Sequence, residues 1–370
     1  MAIDLSFTML IKALGLIQGL LIGAFLLFTN NQKSKARLFL GLYILFLGIQ
    51  FGESLLAELH FTDTYPLLLF LPLNSSWLRA ALFFNYVQRI SIFSSKENGY
   101  KFLIPGIIWF VAQTILFLMP IDIKIKLADT RYMNIFSGLG LIYGFSLAIY
   151  TLIYIRRHFK EVKNQYSNLA NKRLAWAWQF IILSLVPLLI LITSLIFNFS
   201  HNLHLILGSY ALFLLYWISI HGVMQPSIKS LVWEKTYKNE GPSNSNKKSI
   251  SNASSKNLLE IINLTNSHII STKSYLNKDL TILEVAQELD LHPRPISAAI
   301  NAINKENFNS YINRFRINEA IKLLNSGQVG HLTIEGVGSQ VGFQSKSAFY
   351  GAFKKITGTT PSNYHKNRAQ

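Results

Sequence analysis

Residues Thr333–Tyr364 read TIEGVGSQVGFQSKSAFYGAFKKITGTTPSNY, and their pattern decides how the rest of the chain is read. Thr333 precedes a short run with apolar residues at helical spacing, and Gly342-Phe343 interrupts it. Ser345 then opens a second run whose apolar members Phe349 and Phe353 lie one helical turn apart. The spacing predicts a helix, a tight turn, a second helix with a basic and hydroxyl-rich exposed face, and a Thr-Pro stop. A similar pattern lies upstream at Thr281–Ile303.

This paired pattern ends a chain whose remainder has a different composition. Half of the 370 residues are apolar and 14% are charged, against about 25% charged in an ordinary soluble protein. The deficit lies in the residues up to Met224, which are mostly Leu, Ile, Phe and Tyr; the remainder has soluble composition. The formal charge is +17. In a membrane protein such an excess includes loop charge that sets topology, so it does not by itself indicate a nucleic-acid partner. From Lys273 onward, 12 Lys and Arg stand against 7 Asp and Glu. The absence of cysteine excludes disulfides, thiolate metal sites and cysteine nucleophiles. The first apolar segment has no small-residue cleavage site, so it is expected to be a retained helix.

A membrane-spanning helix needs roughly 20 mostly apolar residues. Seven segments qualify: Leu5–Phe28, Leu38–Ala57, Pro66–Val87, Phe102–Met119, Asn134–Ile155, Leu174–Phe199 and His204–Val223. The loops at 29–37, 88–101 and 156–173 carry 12 basic residues, and the alternate loops carry three, Lys124, Lys126 and Arg131. The positive-inside rule then predicts an N-terminus outside the cell's inner membrane and a C-terminal domain in the cytoplasm.

Polar residues inside these segments are few. Lys12 is expected to snorkel outward from the first span. Arg79 lies about 20 Å below the outer face and Glu53 about 6 Å below it, from a rise of about 1.5 Å per residue. They are therefore not expected to pair directly, and each is a candidate for intramembrane sensing or a polar core. Pro72, Pro105 and Pro187 are expected to kink helices supported by their neighbours, and Trp77 is too deep for an interfacial anchor. No HExxH, no phosphate-cradling glycine loop and no paired carboxylates occur in these segments. No enzyme, cofactor or metal site is expected.

Asn239–Asn257 is rich in Ser, Asn, Gly and Lys without apolar periodicity and reads as a flexible connector. The organisation expected is a seven-span domain at 1–224, a linker at 225–257 and an all-helical cytoplasmic domain at 258–370. In that last domain Leu258–His268 is the first helix. Thr281 with Glu284 forms a capping box, and His292-Pro293-Arg294-Pro295 opens a helix that tolerates proline in its first turn. Ser310–Leu324 forms a long helix. Ile296, Ile300, Phe349 and Phe353 are expected in the core.

The residues LTILEVAQELDLHPRPISAAIN, the connecting INRFRINEAIKLL and the closing VGFQSKSAFYGAFKKITGTTPSNY together resemble the DNA-binding domain of AraC/XylS transcription regulators. The membrane half is similar in arrangement to the membrane-bound members of that family. The resemblance implies two helix–turn–helix units braced by a long helix, with recognition helices about one DNA turn apart. Position by position it carries the DNA-facing role to Arg294, Ser297, Ala298 and Asn301, and to Lys346, Ser347, Tyr350 and Gly351. Of these, Arg294, Ser297, Asn301, Lys346, Ser347 and Tyr350 have side chains able to bond bases or phosphates. Ala298 and Gly351 stand where long polar residues are common. Gly338 replaces a mid-helix alanine, at a propensity cost of about 1 kcal/mol.

The expected function is a membrane-bound, sequence-specific transcription regulator. Its partners would be promoter DNA, the lipid bilayer and a small-molecule or envelope signal of unknown identity, with homodimerisation left open. Two readings compete with it: a transporter or permease, and a receptor whose tail is a protein-interaction module.

Overall fold

The computed structural model describes residues 6–30, 34–94, 99–128, 131–197, 203–226, 228, 255–325 and 333–366. Regular structure among them is helical, with one isolated antiparallel bridge between Tyr166 and Thr281. The chain divides into two compact units. The first comprises Met1–Arg157 and Leu174–Lys229, and the second His158–Arg173 and Ser230–Gln370. The second unit thus takes in a segment that the sequence groups with the membrane half. The linker expected at 225–257 falls almost wholly outside the described residues.

The first unit opens with α1 (Phe7–Phe28) and α2 (Lys35–Glu58), N-capped by the side chains of Ser6 and Ser34. Gly15, Gly19 and Gly23 recur every fourth residue and place one bare stripe of α1 against α2. A Cβ on Gly19 would lie 2.4 Å from the Gly48 Cα. Small residues at this spacing let two helix backbones meet where side chains would hold them apart.

Lys12 does not snorkel outward. It is buried, its ammonium 2.5 Å from the Glu58 carboxylate and donating to the Ser54 carbonyl at 3.1 Å. An unpaired charge in an apolar medium is costly, and a carboxylate on the neighbouring helix meets that need inside the bundle.

The expected third span is not one helix. Pro66–Leu68 forms a 3-10 turn after α3 (Phe61–Thr64), Phe70 is left-handed at φ 63°, and α4 starts only at Ser76 and runs to Ile90. The cause is local: Asn74 accepts from the Ser76 amide at 3.3 Å and the Ser76 hydroxyl at 2.6 Å, an Asx-type turn that starts a helix. At 15 residues α4 is about 22 Å long, short of a hydrocarbon core of about 30 Å. It is nevertheless the most enclosed helix of the unit, with Ala81 to Gln88 all buried. Tyr86 donates its hydroxyl to the Gly222 carbonyl at 2.8 Å.

The first unit continues through α5 (Ile104–Phe117), entered by a 3-10 turn at Gly99–Leu103, then α6 (Ile121–Ala128) and α7 (Arg131–Gln165). The expected span at Leu174–Phe199 is two helices, α8 (Ala175–Leu183) and α9 (Val186–Phe197), because Pro187 has no amide hydrogen to continue the ladder. The last helix is α10 (Leu203–Met224). Among the described residues six helical segments are long and apolar enough to cross a membrane: Phe7–Phe28, Lys35–Glu58, Gly99–Phe117, Gly138–Gln165, Ala175–Ser194 and Leu203–Met224.

Glu53 and Arg79 take different partners. Glu53 accepts from Asn74 Nδ2 at 3.0 Å, while Arg79 donates to Gln50. Asn74 also exchanges two hydrogen bonds with Gln113. Trp77 stacks on Tyr143 with ring centroids 5.6 Å apart.

The second unit contains α11 (Ser255–Thr272), α12 (Ile282–Glu288), α13 (Pro293–Ala299) with a π-helical extension over Ile300–Asn304, α14 (Phe308–Asn325), α15 (Ile334–Gln340), α16 (Lys346–Thr357) and α17 (Pro361–Lys366). It has two cores. One gathers Ile262, Ile269, Val285, Ile296, Ile300 and Phe308; the other gathers Val337, Val341, Phe343, Phe349 and Phe353. Helix α14 belongs to both: Phe308, Tyr311 and Ile312 enter the first core, and Ile317, Ala320 and Leu324 the second. At roughly 1.5–3 kcal/mol per buried large apolar side chain, this shared helix ties the two halves together.

Candidate nucleic-acid interface

Two helix pairs in the second unit are built alike. Thr281 caps α12 in a complete capping box, and Thr333 caps α15 by accepting from the Gly336 amide at 3.0 Å. Both first helices are seven residues long. The turns match as well. Asp290 and Gly342 both adopt positive φ, 52° and 94°. The next residue's amide reaches back to the first helix in each case, Leu291 to the Ala286 carbonyl at 2.8 Å and Phe343 to the Gly338 carbonyl at 3.0 Å. This is the hydrogen-bonding of a Schellman turn. Gly342 is required there for a second reason: a Cβ would lie 2.8 Å from the Leu276 carbonyl oxygen.

After each turn the chain enters the second helix of the pair, α13 or α16. Ile296 and Ile300 anchor α13, and Phe349 and Phe353 anchor α16, all buried as expected. With these anchors aligned, Arg294 corresponds to Ser347, Ser297 to Tyr350, Ala298 to Gly351 and Asn301 to Lys354. The last correspondence adds Lys354, an exposed cation that the motif comparison passed over.

The side chains expected to read DNA are held to different degrees. Arg294 is exposed near the start of α13. Asn301 is folded onto its own helix, donating to the Ser297 carbonyl at 2.7 Å and the Ser297 hydroxyl at 3.3 Å. Ser347 shares a hydrogen bond with Ser345, whose hydroxyl caps α16. Lys346 forms an ion pair with Glu335 on α15 at 2.5 Å and lies 5.3 Å from the Tyr350 ring centroid. The Tyr350 hydroxyl also reaches Glu335 at 3.4 Å and exchanges a hydrogen bond with Ser362 at 3.0 Å. Hydrogen bonding from Lys346 holds the Glu335 carboxyl below its ordinary range, and the same bond raises the Lys346 ammonium. Glu335 is therefore part of this surface, although reading outward from the recognition helix does not reveal it.

Gly338 also gains a reason. A Cβ there would sit 2.7 Å from the Phe349 ring, so the glycine lets α15 lie close on α16. Gly351 is the reverse case: a Cβ there meets nothing within 4 Å.

Arg316, between the two apolar stretches of α14, is buried to 1% exposure. Its guanidinium donates to the carbonyls of Tyr275 and Asn277, both at 2.7 Å, and lies 5.6 Å from the Phe343 ring centroid. Burial lowers it to about 10, with Asp279 opposing, so it stays charged at neutral pH. Among the described residues no group of three His, Cys, Asp or Glu is placed to hold a metal ion.

Comparison with known proteins fits this geometry. Residues 285–367 match the family model described as a helix-turn-helix domain. Two uncharacterized HTH-type transcriptional regulators, one from Mycobacterium bovis and one from Mycobacterium tuberculosis, are each 36% identical over 84 residues, which is 23% of this chain and 23% of the relative. The chain thus spans about a quarter of the length of the curated relatives it matches, and no solved structure matches it. The C-terminal part of this chain is a helix–turn–helix domain of the AraC type.

Proposed function

We propose that the chain is a membrane-bound, sequence-specific transcription regulator that couples a signal received by its membrane bundle to gene expression. The observation that carries this reading is the joining, in one chain, of six apolar helices of spanning length and a helix–turn–helix domain whose α13 and α16 expose Arg294, Lys346, Ser347 and Lys354, with Ser297 half-buried beside them. Both α12/α13 and α15/α16 act as helix–turn–helix units on this reading, and α14 sets their spacing along one face of the duplex. Arg294 is the candidate for guanine, and Lys346 and Lys354 for phosphate.

Charge supports α4 as a seventh crossing element despite its length. With α4 counted, 12 basic loop residues lie on the side of the C-terminal domain and three on the other. Without it, Arg79 joins the loops and they divide ten against six. The positive-inside rule favours the first arrangement, with the N-terminus outside and the helix–turn–helix domain in the cytoplasm. The polar group of Glu53, Asn74, Gln113, Gln50 and Arg79 is then the candidate sensing region of the bundle. A signal acts there only by binding two states of the bundle with different affinity.

The test is chromatin crosslinking of the full-length protein together with binding to its own upstream DNA over a salt series. Discrete sites and salt-dependent binding, both weakened by Lys346→Ala and Arg294→Ala, are expected. Binding unchanged by either substitution contradicts the reading.

A further inference from the structure

The second unit includes, besides the C-terminal domain, His158–Arg173, which is the last two turns of α7 and the short connection that leads to α8. Its Tyr166-Ser167-Asn168 tip is fitted into the helix–turn–helix domain as though it were one of its own elements. Tyr166 forms the isolated antiparallel bridge with Thr281, and the Ser167 amide donates to the Leu280 carbonyl at 3.0 Å. The Asn309 side-chain amide donates to the Ser167 carbonyl. The Ser167 hydroxyl accepts from Arg316 Nη2 at 3.2 Å, and Ser167 is only 2% exposed. Asn168 donates to Asp279 at 3.2 Å. Backbone and side-chain bonds together give this contact a defined register.

The tip meets the domain where its two helix pairs are joined. Arg316 holds the 275–277 segment ahead of the first pair and lies against Phe343 in the turn of the second. Asp279 accepts from Asn168 and from Gln344, which follows that turn, at 2.9 Å. Thr281 is both the bridge partner of Tyr166 and the N-cap of α12. The bonds of Ser297, Asn301, Lys346, Ser347 and Tyr350 lie within residues 297–301 and 335–362. The contact therefore touches the frame that spaces the two pairs.

We propose that the Tyr166–Asn168 tip is the input contact of the helix–turn–helix domain: docked, it locks Arg316 and the 277–281 segment and holds the two helix pairs at their DNA-binding spacing; withdrawn, it lets that spacing relax. The proposal rests on the DNA-binding reading above and adds to it where the membrane half acts. Withdrawal removes one acceptor from the buried Arg316 and leaves the Leu280 carbonyl without its strand-like partner. A charge-assisted hydrogen bond lost from a buried group is felt strongly, and a reader of two adjacent sites needs both helices in register. A movement of α7 against α8 would pull directly on the tip through the chain.

The experiment uses the full chain in phospholipid nanodiscs and has two independent readouts. The first needs no DNA. The chain has no cysteine, so an Asn168→Cys/Asp279→Cys double variant carries the only two thiols, and a short bifunctional thiol reagent followed by peptide mass spectrometry reports docking. The crosslink is expected to form, and adding Ser167→Arg, which sets a second guanidinium against Arg316, is expected to abolish it. The second readout is affinity for an upstream DNA fragment by fluorescence anisotropy. Ser167→Arg, in an otherwise wild-type chain, is expected to weaken binding about tenfold and Asn309→Ala about threefold, as losses of hydrogen bonds to buried groups convert to affinity. Unchanged size-exclusion profiles and helical content separate this from misfolding, and Asn309→Ala keeps the test open if Ser167→Arg misfolds. Absence of the crosslink overturns docking. A crosslink that forms while both variants bind DNA as wild type, or more tightly, overturns the coupling. A crosslink in the double-cysteine chain, together with a wild-type chain that binds no DNA, overturns the DNA-binding reading and the coupling with it, and leaves only the docked contact.

Discussion

Lys346, the cation expected to meet DNA, is 2.5 Å from Glu335, a carboxylate of the same helix pair. The helix–turn–helix surface thus carries its own competitor for phosphate. Removing that competitor is expected to strengthen DNA binding. Glu335→Gln should raise affinity a few-fold, because exposed pairs are weak, and steepen the dependence of log K on log salt by about 0.9, one further phosphate contact. A salt titration of wild type and variant checks both.

The same pair predicts a pH dependence. The Glu335 carboxyl is depressed by the hydrogen bond from Lys346. A depressed carboxylate contributes stability that is present above its unfolded value and lost as pH falls through the lower folded value. Wild-type protein should therefore gain DNA affinity as pH drops below the ordinary glutamate range and Lys346 is released. Glu335→Gln should lack that step. Anisotropy titrations at fixed ionic strength distinguish the two curves.

Gly351 and Gly338 should respond in opposite ways to a larger side chain. Gly351→Lys enters open space, gains about 1 kcal/mol of helix propensity and adds a cation beside Tyr350. It should tighten DNA binding and steepen the salt slope.

Gly338→Ala makes the same gain in propensity but places its methyl 2.7 Å from the buried Phe349 ring. Overpacking costs about 1–3 kcal/mol, so the net change should be destabilising. Hydrogen exchange of the α15 and α16 amides in the full chain should show faster opening for this variant and not for Gly351→Lys.

In the first unit Gly19→Ile should part α1 from α2. The added Cβ meets the Gly48 backbone, which has no rotamer to give way. The expected outcome is a lower unfolding temperature in detergent and loss of crosslinking between cysteines placed at Leu16 and Gly52, where a Cβ on Gly52 would lie 3.2 Å from the Leu16 side chain. Gly138→Ala, where a Cβ meets nothing within 4 Å, should change neither.

What was legible in the sequence is what local chemistry determines. The Thr281 capping box, the Gly342 turn and the burial of Ile296, Ile300, Phe349 and Phe353 depend on neighbours a few residues away, and each is found where its spacing predicts. Contacts across long stretches of chain were not legible. Lys12 is expected at the surface when only its own helix is considered, yet its carboxylate is Glu58, on α2. Ser167 and Arg316 are 149 residues apart, and nothing in the composition of 156–173 sets it apart from a basic connecting loop. The third expected span failed on polarity: Asn74-Ser75-Ser76 bonds to itself and starts α4 late. Glu335 was missed because the reading ran along α16, and α15 supplies the partner.

The most direct test is co-flotation. Full-length protein reconstituted in lipid vesicles is mixed with fluorescent DNA from its own upstream region and centrifuged through a density gradient. The prediction is that the DNA rises with the vesicles at low salt, is released as salt increases, and stays at the bottom with the Arg294→Ala/Lys346→Ala double variant. DNA that remains at the bottom with wild-type protein in the vesicles, or that floats equally with the double variant, would contradict a membrane-bound reader of DNA.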